Sequence, residues 1–365
     1  MKITHTEIYR LSVKMEPFAI ATGTMDYAQN VYIRLYSDEG IYGVGECSAF
    51  PFIVGETQDT CISVAKDFAE LWKGKDVLDI SARLQELDKA IAGNTTIKSA
   101  FDMALYDLNA KRVNQPLYKY LGGNKREIET DITIGIDTVA AMVDKAWDFC
   151  ESGARCLKIK LGKDAKEDIK RVEKIRETVG HNILIRLDAN QGWNFEDAVF
   201  ALKRMEDYNI QFCEQPMRTW NDDFLPELRK QTSIKIMADE SCYNHHDARR
   251  LIAAQACDSI NIKLVKSGGI AEAIRIHDVA KQANIPCMIG GMLETRLALS
   301  AKLHFAYAHQ NVKYYDLDTC LIGHLEDPVI GGARYQNYNL DIDDLPGIGA
   351  DIDEFYLKKC EMVRI

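Results

Sequence analysis

From Lys160 onward a charged side chain closes one short apolar run after another at a nearly constant interval. Lys160, Asp188, Glu214, Asp239 and Lys263 follow one another after 28, 26, 25 and 24 residues, and Asp316 comes 53 residues later. The runs that carry them are L-K-I-K-L, I-L-I-R-L-D, I-Q-F-C-E, I-K-I-M-A-D, S-I-N-I-K-L and V-K-Y-Y-D. With I-T-I-G-I before them and P-C-M-I-G-G before the last, they make eight strands separated by amphipathic helices. An interval of about 25 residues is one β/α unit, so the pattern predicts a (β/α)8 barrel of the TIM type, with a doubly wound open sheet as the alternative. In a closed barrel the C-terminal strand ends converge on one mouth, where active sites are built.

The chain before this region reads differently. Residues 1 to about 36 alternate apolar and polar positions, and Asp38-Glu39-Gly40 marks a turn before I-Y-G-V-G-E-C, which predicts an antiparallel meander. From Glu56 to about Leu121 the spacing is helical and stops at Gly122-Gly123. An α+β module therefore precedes the barrel.

Composition narrows the functions. A net charge of −10 with no Lys/Arg run disfavours nucleic acid and anionic membranes as partners and favours a small molecule. No stretch approaches the roughly 20 apolar residues of a membrane span. The N-terminus lacks the apolar core of a signal peptide, so the expected location is the cytoplasm. The ten cysteines show neither C-x-x-C nor zinc-ligand spacing and read as buried, reduced thiols.

Taken singly, an Asp after a strand is often a helix cap. Asp188, Glu214 and Asp239 on consecutive strands would instead crowd three carboxylates together, which is costly unless a cation neutralises them. Oxygen-only donors select a hard ion, with Mg²⁺ as the expectation. Strand alternation puts Lys158 and Lys160 on one face. They either pair with the carboxylates or, with Lys263 across the mouth, stand on two sides of a bound substrate, where two bases can invert a carbon.

This order of residues, K-I-K, D-A-N-Q-G-W, C-E-Q-P, M-A-D-E-S and N-I-K-L-V-K-S-G-G behind an α+β cap, resembles the enolase superfamily and its muconate-lactonizing subgroup. The resemblance implies a capping domain at 1–125, with a tail of about 340–365 packing back on it, and a catalytic barrel at 126–339. It also implies a Lys or His base working with Mg²⁺ through an ene-diolate. Lys160 and Lys263 would then be the acid/base pair and Lys158 the electrostatic partner touching the substrate carboxylate. Asp188, Glu214 and Asp239 would be the Mg²⁺ ligands. Asn190 is either an outer support of that site or a turn amide.

Within the subgroup, the D-x-D of Asp316 and Asp318 on the eighth strand resembles the dipeptide epimerases, where it would accept the α-ammonium of a bound dipeptide. Thr133 aligns with a substrate-contacting threonine of those enzymes. Alanyl-glutamate epimerases carry an Arg in the segment that here reads A-T-G-T-M-D-Y-A-Q-N. Its position corresponds to Gly23, and no Arg or Lys lies between Ala19 and Asn30. The expectation is a small or neutral dipeptide such as Ala-Ala, with Asp26 either recruiting a basic side chain or facing solvent. N-acylamino acid racemase, o-succinylbenzoate synthase and cycloisomerase are the alternatives, a silent binding protein is the non-enzymatic one, and superfamily membership is compatible with a homo-oligomer.

Overall fold

The computed structural model describes residues 1–365. Alternation at the start of the chain becomes three antiparallel strands, β1 (Ile3–Ile20), β2 (Gly23–Ser37) and β3 (Tyr42–Ser48). Along β1, Leu11, Val13 and Met15 are buried, and Lys14 between them is exposed. Helices Gln58–Trp72, Ile80–Ala90 and Thr95–Arg112 complete this module. The last lies so close to β3 that a Cβ at Gly45 would sit 1.9 Å from Ala100 O, so glycine is required there.

The eight apolar runs form one parallel sheet in sequential order. The strands are β4 (Ile132–Ile134), β5 (Cys156–Lys160), β6 (Leu184–Asp188), β7 (Ile210–Glu214), β8 (Ile236–Ala238), β9 (Ser259–Ile262), β10 (Cys287–Gly290) and β11 (Val312–Asp316). Around the seam between β11 and β4, Asp131 N–H donates to Tyr315 O at 3.2 Å and Leu317 N–H to Thr130 Oγ1 at 2.8 Å. These contacts bring the sheet round into a barrel. Seven strands are followed by helices. β11 is followed instead by a short 3-10 turn at Thr319–Leu321, and the tail returns to the first module, where Met362–Arg364 pairs with β1.

One hydrophobic cluster of 98 buried residues runs through both parts, so they share a core. Two carboxylates of the N-terminal module also cap barrel helices. Asp102 accepts from Ile270 N–H at 2.5 Å and Ala271 N–H at 3.2 Å, and a Cβ on Gly269 would strike it. Glu46 accepts from Thr295 N–H at 2.9 Å, Thr295 Oγ1 at 2.7 Å and Ala298 N–H at 3.1 Å. Unsatisfied N–H groups at a helix start attract negative charge.

The segment around Gly23 is the tip of a hairpin, because β1 and β2 continue pairing as far as Ile20 and Gly23. Ile136 N–H donates to Ala19 O at 3.1 Å and Glu16 N–H to Gly323 O at 2.8 Å, which fixes this tip over the barrel mouth. All ten cysteines are free thiols, but Cys150, Cys320 and Cys360 are half-buried rather than buried. They lie toward the outside of the packing, which charge and spacing in the sequence do not reveal. No helix is long and apolar enough to cross a membrane.

Candidate active site

Register aligns the polar strand ends. Lys160 sits beside Asp188 and Asp188 beside Glu214, so one inward layer of the barrel carries all three. Above them lies a cavity of about 430 Å³, counting its open mouth. Its polar wall includes Thr133, Lys160, Asn190, Lys263, Asp316 and Asp318. The remainder is largely apolar: Phe18 and Ile20 from the hairpin, Phe50 and Ile53 from the loop after β3, and Met292, Leu293 and Ile322 from the loops after β10 and β11. No arginine lines it, and Asp26 is exposed away from it. A side chain at Gly23 would first meet the Phe52 ring, 2.5 Å from its Cβ.

The lysines are tied to carboxylates. Lys160 Nζ donates to Asp188 Oδ2 at 2.6 Å and Lys263 Nζ to Asp239 Oδ2 at 2.7 Å. Lys158 does not line the cavity. It is buried between Asp188 (3.1 Å), Glu214 (2.7 Å) and Asp316 (2.9 Å). Its distance to Glu214 is short, but Glu214 Oε2 is out of line for a hydrogen bond from it. Asp318 accepts from Thr133 N–H at 2.6 Å. With lysine heads between them, Asp188, Glu214 and Asp239 do not bring their oxygens within 4.8 Å of one another; the three carboxylates that do are Asp131, Asp316 and Asp318.

Asp131 and its partner Arg186 were not singled out from the sequence, although alternation puts Asp131 on the face of Thr133 and Arg186 on the face of Asp188. Arg186 Nη1 donates to Asp131 Oδ2 at 2.7 Å, with its guanidinium against the Phe212 and Tyr314 rings. Glu240 and Lys266 were also missed. Glu240 follows Asp239 directly and is buried, and Lys266 is buried against Asp239.

Charge counting exposes what the site needs. Asp131, Asp188, Glu214, Asp239, Glu240, Asp316 and Asp318 are buried together with Lys158, Lys160, Lys263, Lys266 and Arg186. Seven carboxyls against five cations leave two negative charges uncompensated. The imbalance appears in the titration of the individual groups. Burial, reinforced by Asp188, raises Glu214, and burial with Asp316 and Asp131 raises Asp318 well above the carboxylate range. Burial alone would also raise Asp239, but Lys263 and Lys266 outweigh it and hold the group low. Burial would lower Lys158, yet Asp316, Glu214 and Asp188 raise it far above an ordinary lysine. A divalent cation restores neutrality, and the oxygen-only donors of Asp188, Glu214 and Asp239 are those a hard cation takes. By donor type these residues fit Mg²⁺, while in the structure lysine heads hold their oxygens apart.

Known proteins agree with this architecture. Residues 3–122 match the mandelate racemase / muconate lactonizing enzyme N-terminal domain, and residues 141–356 the enolase C-terminal domain-like family. The chain is 43% identical to the D-Ala-D/L-Ala epimerase of Cytophaga hutchinsonii, over 100% of both chains. It is 37% identical to the L-Ala-D/L-Glu epimerase of Clostridium acetobutylicum, over 96% of this chain and 99% of that one. The crystal structure of the Cytophaga hutchinsonii dipeptide epimerase with Mg and the dipeptide D-Ala-L-Val superimposes with a TM-score of 0.98 at 43% identity over 100% of both chains. Both the cap and the barrel thus find their counterparts, and the chain belongs to the mandelate racemase / muconate lactonizing enzyme family of the enolase superfamily.

Proposed function

We propose that this protein is a Mg²⁺-dependent dipeptide epimerase that inverts the α-carbon of the second residue of a dipeptide with a small or neutral side chain. The observation that carries the reading is a single cavity in which two lysines from β5 and β9 meet two carboxylates from the end of β11 and a largely apolar wall. Relatives named as epimerases of Ala-Ala and Ala-Glu dipeptides support it.

The α-proton beside a carboxylate is very weakly acidic, because its removal adds a second negative charge to the same group. Bound Mg²⁺, held by Asp188, Glu214 and Asp239, supplies the positive charge that stabilises this build-up. Lys160 or Lys263, as the neutral amine, takes the proton as the C–H bond breaks, and the other lysine, as the ammonium, delivers a proton to the opposite face, so the carbon leaves inverted. Lys158, behind the cavity wall, contributes a fixed cation to the carboxylates of Asp188, Glu214 and Asp316 beneath the substrate. Asp316 and Asp318 accept the α-ammonium, a group that N-acylated amino acids lack. Thr133 positions Asp318 through its N–H and adjoins the substrate. The apolar wall of Phe50, Ile53, Met292 and Leu293 offers no cation to an acidic side chain.

The reading assigns residues 1–125, with the tail from about 340, to substrate selection and 126–339 to chemistry. Ten free thiols support a reducing compartment, the cytoplasm. Incubation with pooled dipeptides and Mg²⁺ in D₂O is the test. Deuterium should enter the α-carbon of the second residue, and Lys160→Ala should abolish epimerisation and confine exchange to the epimer whose proton faces Lys263, while retaining Mg²⁺ binding. Exchange on N-succinyl amino acids, with none on any dipeptide, would overturn the assignment in favour of a racemase.

A further inference from the structure

Each of the three carboxylates assigned to the metal has one oxygen fixed by a donor that is not one of the acid/base lysines. Asp188 Oδ1 accepts from the backbone N–H of Asn190 at 3.0 Å, leaving Oδ2 toward Lys160 and Lys158. Glu214 Oε1 accepts from Asn261 Nδ2 at 2.6 Å, leaving Oε2 toward Lys158. Asp239 Oδ1 accepts from Lys266 Nζ at 2.8 Å, leaving Oδ2 toward Lys263. Asn261 and Lys266 both come from N-I-K-L-V-K-S-G-G, one just before Lys263 and one just after it.

Lys266 is unusual among these. It lies in the single helical turn Leu264–Ser267 that follows β9 and has no solvent exposure. Its ammonium is enclosed by the Asp239 carboxylate, the Asp239 and Asn261 backbone carbonyls (the latter at 3.1 Å) and the face of Tyr243 at 5.7 Å. It does not line the substrate cavity. Burying an ammonium this completely is costly unless its partners are fixed in good geometry. A role confined to packing would be met by an apolar side chain of similar volume.

We propose that Lys266 and Asn261 are positioning residues that lock the carboxylates of Asp239 and Glu214 in the rotamers that present one oxygen each to Mg²⁺. The inference rests on the assignment of Asp188, Glu214 and Asp239 as the metal ligands. Its physical content is that an unlocked carboxylate must be ordered at the moment of binding, and partners that orient ligands are commonly worth about 10- to 100-fold in metal affinity. Lys266 additionally prevents Asp239 from turning both oxygens toward Lys263.

Calorimetric titration of the full-length protein with MgCl₂ alone, without substrate, tests this directly. Lys266→Met and Asn261→Ala should each weaken Mg²⁺ about tenfold or more, and Lys266→Arg should recover part of the loss. The two variants test separate carboxylates, so a failure of one to fold leaves the other decisive. Lys302→Met, which breaks a buried ion pair with Glu294 that touches none of the ligands, should lower the melting temperature without changing Mg²⁺ affinity. Unaltered affinity in folded Lys266→Met or Asn261→Ala would overturn the inference. Absence of Mg²⁺ binding by the unsubstituted protein would instead overturn the metal assignment beneath it.

Discussion

His304 joins the two halves of the protein through a proton position that acid should destroy. It lies in the barrel helix Arg296–Ala308, and its Nδ1 accepts from Tyr118 N–H of the N-terminal module at 3.1 Å. Its Nε2 faces Ile348 O of the returning tail at 3.1 Å. A backbone N–H on one side and a carbonyl on the other fix the neutral Nε2–H tautomer, and a proton added at Nδ1 would point at another donor. Burial holds the imidazole at about 4, against an unfolded value of about 6.5. Folding lowers this pKa, so the unfolded chain binds more protons, and stability present above pH 6.5 is lost as pH falls toward 4. The full difference corresponds to about 3 kcal/mol, of which about 2 kcal/mol is lost between pH 7 and pH 5. His304→Gln keeps an acceptor and a donor but does not titrate. Urea unfolding of both proteins at pH 7 and pH 5 should show the native protein's advantage shrinking by about 2 kcal/mol at the lower pH. A constant difference between the two would refute the tautomer argument.

Other outcomes follow from the cavity. Asp316→Asn should raise KM for dipeptides by about tenfold or more, the scale of a lost charge-assisted hydrogen bond, while N-succinyl amino acids compete no less well. Steady-state kinetics with both substrate types checks it. Leu293→Arg should shift the ratio of kcat/KM toward dipeptides with an acidic second residue by about tenfold, because a cation would then stand in the apolar wall. Gly162→Ala should lower the melting temperature and raise KM. Gly162 has φ +108°, and an added Cβ would lie 2.2 Å from Ala189 O and 3.1 Å from Ala21 Cβ on the hairpin tip. The backbone penalty alone is about 1–2 kcal/mol.

Much of the barrel was legible because its strands end in charge. The interval from Lys160 to Lys263 places one polar group per β/α unit, and each apolar run overlaps an observed strand. Alternation gave Lys158 and Lys160 one face, but periodicity cannot say how deep a side chain sits. Lys158 therefore reads from sequence as a cavity residue, yet it lies behind the cavity wall between three carboxylates. Asp131 was hidden for a different reason. It gathers with Asp316 and Asp318 only when the first and eighth strands meet at the barrel seam, 185 residues apart in the chain for Asp131 and Asp316. The absence of a helix after β11 was equally invisible in the residues themselves, and the return of the tail to the first module was expected from the family resemblance alone. Lys266 lay in plain view beside Lys263, but a buried ammonium is recognised only once its partners are seen to surround it.

Glu46 and Asp102 belong to the first module in sequence but complete the starts of helices in the second. Those helices follow β9, which leads into Lys263, and β10, whose loop supplies Met292 and Leu293 to the cavity. A cap grafted from a relative would have to bring carboxylates to the same two points, or the helices after the Lys263 and Leu293 strands would start with bare N–H groups. Exchange of caps is thereby restricted to partners that share this pair of anchors, which makes the boundary between the modules a filter on recombination.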